Sequence, residues 1–308
     1  MKPVDDFIPR TQSPDVQRIL DRFSSWLEEI VNYGSHIIAF DIETVRGEDE
    51  ILPPILFLRN FLEYTDACSI LVKQSSIEPC NTILRTFLEN FLYIEYLLEK
   101  QTYERSLCFI VWNAFENKKI FLSMDGKSDP YKRIEAAYKK DKLFHDQKPF
   151  VLPDIELRIR NNEKLLELEK YKSTVSEYIR TKKNLNRTPY WYNLFDGPLN
   201  IEKLADRLGF NTYYEILYRG LSTSTHETAI IQGKVAKNVN YGVDIHQIRL
   251  PIGAQTITTF CINLSTYLFK TYIHKRLPNK INEFNGWIKS IQPIFKALET
   301  KDLIKIKK

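Results

Sequence analysis

Arg219 and His226 are the residues whose types and spacing could do chemistry on a phosphate. A guanidinium keeps its charge and forks onto phosphate oxygens, and an imidazole exchanges its proton near neutral pH. Both lie in the stretch Tyr213 to Glu227, with Ser222 between them. If this stretch is one α-helix advancing about 100° per residue, residues seven apart fall within roughly 20° of each other, so Arg219, Ser222 and His226 share a face. Tyr213, Leu217, Gly220, Ser224 and Ile231 form a second stripe suited to burial against a neighbouring helix. The polar face is then a minimal kit for phosphoryl transfer. The plain alternative is a solvated surface or a satisfied hydrogen bond, and the poor helix formers from Gly220 to Thr225 would defeat the shared face if they break the helix.

A helix placed there needs others to rest on, and the chain supplies them. Ser13 to Asn32 begins Ser-Pro-Asp, a cap followed by proline at the first helical position. It carries Val16, Ile19, Leu20, Phe23, Leu27, Ile30 and Val31 at helical spacing. Three long helices are predicted next, over about Pro54 to Gln74, Ser76 to Lys100 and Thr102 to Ser123. Leu58-Arg59-Asn60-Phe61-Leu62-Glu63-Tyr64 in the first is echoed by Leu84-Arg85-Thr86-Phe87-Leu88-Glu89-Asn90 in the second. Each copy sets Arg and Glu one turn apart amid apolar residues, where charges must pair or meet a polar ligand. Either the pairs form a salt bridge between helices, or Arg85 and Glu89 stand behind His226 or add a phosphate contact.

A loop with a short helix around Tyr131 to Tyr138 follows, then a highly charged helix from about Asp154 to Asn184. Its lysines suit a solvated face or an arm reaching a second subunit. Pro189 and the rings of Tyr190, Trp191 and Tyr192 break the helical pattern. Asn200 can cap a helix ending at Leu208, with Gly209 at the usual stop position. Gly233 to Ala254 reads as a short hairpin or an ordered loop. Two helices, Gln255 to Lys275 and Lys280 to Leu298, and a basic tail close the chain. The expected class is all-α, a multi-helix bundle with a helix and connector over 1–50, a helical domain over 51–300 and a tail over 301–308.

Composition narrows the function. A hydrophobic share of 43% over 308 residues supports a substantial core without staples. Cys68, Cys80, Cys108 and Cys261 stand singly, without metal-ligand spacing, and the five histidines are dispersed, so reduced thiols and no metal or cofactor are expected. The start Met1-Lys2-Pro3-Val4 lacks the pattern of a signal peptide, and no apolar run is long enough to span a bilayer, which predicts a cytoplasmic protein without membrane contact. Ten glycines and no Gly-rich loop argue against a phosphate-cradling doubly wound sheet. A net charge of +5 permits a nucleic-acid partner. Phe40-Asp41-Ile42-Glu43-Thr44 resembles the first motif of proofreading 3′-5′ exonucleases, but the further strands and acidic motifs of that fold are absent from the sequence, which favours a chance match.

The ordered set of Arg59, the Arg85 and Glu89 pair, Trp191, Leu208-Gly209 and Tyr218-x-x-Leu221-Ser222-x-x-x-His226 resembles a bacterial helical family of unknown function, over roughly Pro53 to Gln232. That family in turn is similar to the HEPN superfamily of all-helical nucleases and nucleotide binders, whose signature is an Arg followed four to six residues on by a His. The resemblance implies a metal-independent ribonuclease with Arg219 and His226 as catalytic pair, and Tyr218, Ser222, Arg85 and Glu89 in support. Arg59, Tyr214 and Trp191 are candidate substrate contacts. RNA, either tRNA or mRNA, is the implied substrate, a homodimer the implied assembly, and a toxin or anti-phage role with an antitoxin or regulatory partner the implied setting. The rival expectation is a non-catalytic helical module that binds RNA, a nucleotide or a protein.

Overall fold

In the computed structural model, residues 11–44, 48–221, 235–237, 243–299 and 303–304 are described. Ser13 opens the first helix as expected, its hydroxyl accepting from the Val16 N–H at 3.4 Å, with Pro14 at the first helical position. This helix, α1 (Pro14–Ile42), runs past Asn32 to Ile42. Its buried stripe of Leu20, Phe23, Leu27, Ile30, Tyr33, Gly34 and Ile37 keeps the helical period throughout. Gly34 is where α1 comes closest to its neighbours. A Cβ there would stand 2.3 Å from a Leu62 methyl and 2.9 Å from the Phe269 ring.

The chain divides into two compact units, Met1–Lys100 with Ile201–Lys308, and Gln101–Asn200. The first unit holds α1, α2 (Glu48–Lys73), α3 (Glu78–Glu99), α8 (Ile201–Leu208), α9 (Asn211–Tyr213) and α10 (Ala254–Arg276). The expected final helix is two pieces, α11 (Ile281–Ser290) and α12 (Gln292–Leu298), with Pro293 in the first turn of the second. Its core forms where α1 packs on α2, α2 on α3, and α10 against all three. Phe23, Phe61, Phe87, Phe91 and Phe269 are fully buried there. Cys68, Cys80 and Cys261 come from three helices yet meet in this core as free thiols, Cys68 sharing hydrogen bonds with the other two. Two short strands, β1 (Val235–Lys237) and β2 (Val243–Ile245), pair antiparallel in the segment expected to be a hairpin or a loop.

The second unit is α4 (Thr102–Ser123), α5 (Asp129–Tyr138), α6 (Ile155–Glu167) and α7 (Lys172–Leu185). The single charged helix expected over Asp154 to Asn184 is broken at Leu168, whose ψ of 137° is extended. The break lets α6 and α7 both pack on α4. Asn162 donates to the Ala114 carbonyl at 2.8 Å, Lys118 pairs with Glu163 at 2.7 Å, and Tyr178 stacks on Phe115 at 4.0 Å.

Asp41, part of the exonuclease-like string, ends α1 at 0% exposure. Its Oδ2 accepts from Arg276 Nε at 2.8 Å and from the Tyr272 hydroxyl at 2.6 Å. The carboxylate is thus committed to a buried ion pair that ties α1 to α10. Glu43 is exposed. Removing one partner of such a pair strands the other charge out of water. Asp41→Ala is therefore expected to lower unfolding free energy by about 3–5 kcal/mol in urea titrations, with Glu43→Ala within about 0.5 kcal/mol of wild type.

Candidate functional site

The segment carrying the Arg219 motif is laid on α3 by local chemistry. Gly209 takes φ +79° after α8, and the Phe210 N–H donates back to the Ala205 carbonyl at 2.8 Å, a glycine-terminated helix end. The Phe210 ring then meets Phe91 of α3 edge to face at 4.8 Å. From this anchor α9 runs directly into a π-helical stretch, Tyr214–Arg219. Its last bond, from the Gly220 N–H to the Glu215 carbonyl at 2.9 Å, spans five residues. The expected α-helix through Tyr213 to Glu227 is thus corrected over Tyr214–Arg219, where a π turn advances by less than 100° per residue. Leu217 is buried as expected from its stripe, and Gly220 is exposed rather than buried. A Cβ at Gly220 would lie 2.5 Å from the Ile216 carbonyl oxygen, so the turn is fitted to glycine.

Two guanidiniums bracket two rings on this surface. Arg85 of α3 sits 4.1 Å over the Tyr218 ring. Tyr218 is stacked on Tyr214 at 5.0 Å and 17°, and Arg219 lies 5.5 Å from the centre of the Tyr214 ring. Such cation-to-ring contacts strengthen as water is excluded. Arg85 also donates to the Tyr218 hydroxyl, which donates to Glu89. Burial pushes the Glu89 carboxyl above its ordinary range, with the Tyr218 hydroxyl and the Arg85 charge pulling it back. Burial likewise raises the Tyr218 phenol, so both groups hold their protons more tightly than they would in water.

Arg219 emerges from this base with its side chain 53% exposed. It reaches Glu202 of α8 and Glu215 one turn back, each at 3.2 Å. A bond to the Tyr214 hydroxyl and the two carboxylates raise its pKa further. The structure therefore brings together Arg85, Glu89, Tyr214, Tyr218 and Arg219. Sequence reasoning missed Glu202, for which α8 gave no signal, and Glu215, whose four-residue spacing to Arg219 was a usable one. Ser222 and His226 lie outside the described residues. The echoed pair on α2 has a different fate, since Arg59 and Glu63 bind each other at 2.9 Å on an exposed face. Trp191 belongs to the second unit, where it is 2% exposed with its ring edge to face with Phe109.

Arg219 thus stays half-exposed between two carboxylates, with the ring stack behind it. Gly220→Ala is expected to disrupt the turn, because backbone rather than a flexible side chain meets the new methyl, and thermal unfolding should show a loss of about 1–3 kcal/mol. Tyr218→Phe removes a bond that favours ionised Glu89, raising the Glu89 pKa further. Because the folded pKa of Glu89 is already raised, its contribution to stability is complete below the unfolded pKa and is lost as pH rises through the folded one. The cost of Tyr218→Phe, about 1–3 kcal/mol, should therefore be larger at pH 8 than at pH 4 in urea titrations.

No helix among the described residues is long and apolar enough to cross a membrane. Neither the curated proteins nor the solved structures contain a match to the chain. A family model does match residues 52–235, a span that takes in the Arg85 and Glu89 helix, the whole second unit and the Arg219 turn, and the chain belongs to that family, a family of unknown function, DUF5677.

Proposed function

We propose that the chain is a metal-independent endoribonuclease of HEPN type, acting on tRNA or mRNA, with Arg219 and His226 as its catalytic pair. The observation that supports this best is the bracing of Arg219. An exposed guanidinium stands on a π turn clamped to α3 by Arg85, Tyr218 and Glu89, seven residues ahead of His226. Single π turns recur at functional sites. A phosphodiester can take the place that Glu202 or Glu215 now occupies on Arg219, exchanging one anion for another.

In this reading His226 accepts the proton of the RNA 2′-hydroxyl. The 2′ oxygen bonds to phosphorus, the bond from phosphorus to the 5′ oxygen breaks, and Arg219 stabilises charge on the non-bridging oxygens. A protonated imidazole gives its proton to the leaving 5′ oxygen, leaving a 2′,3′-cyclic phosphate and a 5′-hydroxyl. A homodimer with its motif segments facing each other supplies that second imidazole. Ser222 and Tyr218 orient the pair and Tyr214 stands beside Arg219, whereas Arg59, bound to Glu63, and Trp191, buried in the second unit, are dropped as substrate contacts. A cytoplasmic toxin or anti-phage effector under an antitoxin fits such chemistry.

A second reading, a non-catalytic module that binds RNA, a nucleotide or a protein, draws support from the two carboxylates already on Arg219. One experiment separates the two. Wild-type protein incubated with end-labelled tRNA or total RNA in chelator should produce new ends, and His226→Ala and Arg219→Ala should each slow cleavage by about 10²-fold or more. Equal cleavage by all three proteins, or none under any condition, contradicts the nuclease. Salt-dependent binding that survives His226→Ala without new ends favours the module.

A further inference from the structure

A cavity of about 460 Å³ opens in the first unit between α3, α8 and α10, within the size range of small-molecule sites. Glu95 lines it. This carboxylate is only 7% exposed, and its Oε1 has no hydrogen-bond partner among the described residues. Burial pushes its pKa up to about 7, against a bond to Thr271 and the charge of Lys275 that pull it down. An acceptor left without a donor away from water is costly, and the cost disappears when a ligand brings the donor.

The remaining walls grade from aromatic to cationic. Tyr267 lines the cavity with its ring held edge to face by Phe210 at 5.4 Å, yet it is 49% exposed. A rigid, half-open ring offers a stacking surface at little cost in conformational freedom. Lys270 and His274 also line the cavity and are exposed, one turn apart on α10. Arg207 on the opposite side is held by Glu99 at 3.0 Å and lies 5.2 Å from the centre of the Tyr96 ring. The site thus pairs a buried acceptor with an aromatic wall and a mouth carrying cations.

We propose that this cavity binds a small heteroaromatic phosphate, its ring stacked on Tyr267, an N–H donated to Glu95 Oε1 and its phosphate at the mouth on Lys270 and His274. The residues involved are separate from the Arg219 cluster, so the assignment stands whether or not the chain cleaves RNA. The acceptor selects for a ring N–H or exocyclic amine. Lys270 selects for the phosphate by its charge and His274 can add a ring N–H, and neither fragment alone uses both ends.

Adenosine 5′-monophosphate is a suitable probe, since it carries an amine on its ring and a phosphate. Calorimetric titration of the full chain should show saturable binding at least about tenfold tighter than for adenosine or inorganic phosphate alone. Glu95→Leu, which removes the acceptor, and Tyr267→Leu, a change at a half-exposed position, should each weaken it by about tenfold or more. Lys270→Ala should weaken it and flatten its salt dependence, while Lys289→Ala, an exposed position on α11, should bind as wild type. Circular dichroism checks each variant's fold, and if Glu95→Leu does not fold, Tyr267→Leu decides. The proposal is overturned if the nucleotide shows no saturable binding at millimolar concentration, if phosphate alone binds as tightly, or if the deciding variants bind like wild type.

Discussion

Two tyrosines stacked between two guanidiniums fix the Tyr214–Arg219 turn on α3. Arg85, Tyr218, Tyr214 and Arg219 form a continuous column from α3 to solvent. Each contact is modest, about 0.5–2 kcal/mol for a cation over a ring, but they act in series. Arg85 and Glu89 fix the Tyr218 hydroxyl, Tyr218 fixes the ring beside it, and that ring orients Arg219. The column is only as rigid as its base. Buried Leu84, Phe87, Leu88 and Phe91 set α3 into the core against α2 and α10, and the pair of Asp41 with Arg276 ties α10 to α1.

The π turn follows from the same constraint. The turn buries both Tyr214 and Leu217 while leaving Arg219 exposed, and Glu202 and Glu215 collect that charge. The wider turn makes Gly220 a necessity, since any side chain there meets the Ile216 carbonyl. Glu89 carries the opposite burden, a carboxyl lifted by burial and pulled back by the Tyr218 hydroxyl that donates to it and by the Arg85 charge. Reactive groups commonly have perturbed titration of this kind, though structural networks share the trait.

Periodicity made most of the fold legible. Thr102–Ser123 matches its expected bounds because the apolar pattern starts and stops with the helix. The first helix overran its expected end at Asn32 because Gly34 lets α1 approach Leu62 and Phe269, and the buried stripe continues through Ile37. The split at Leu168 had no local mark, since the charges on both sides suit a helix and only packing on α4 decides the break. At the site, Arg85 and Glu89 were legible as charges set among apolar neighbours. The shared face of Arg219 was argued on a 100° wheel, and a π turn does not follow that wheel. Glu202 and the three-thiol meeting of Cys68, Cys80 and Cys261 depend on residues distant in sequence, which spacing does not encode.

The central claim is that Arg85 and Tyr218 act as one coupled unit holding the Arg219 turn to α3. A double-mutant cycle on Arg85→Leu and Tyr218→Leu, read by urea unfolding at neutral pH, tests it most directly. The account predicts a coupling energy of about 1–2 kcal/mol. Costs that simply add, with a coupling near zero, would contradict it.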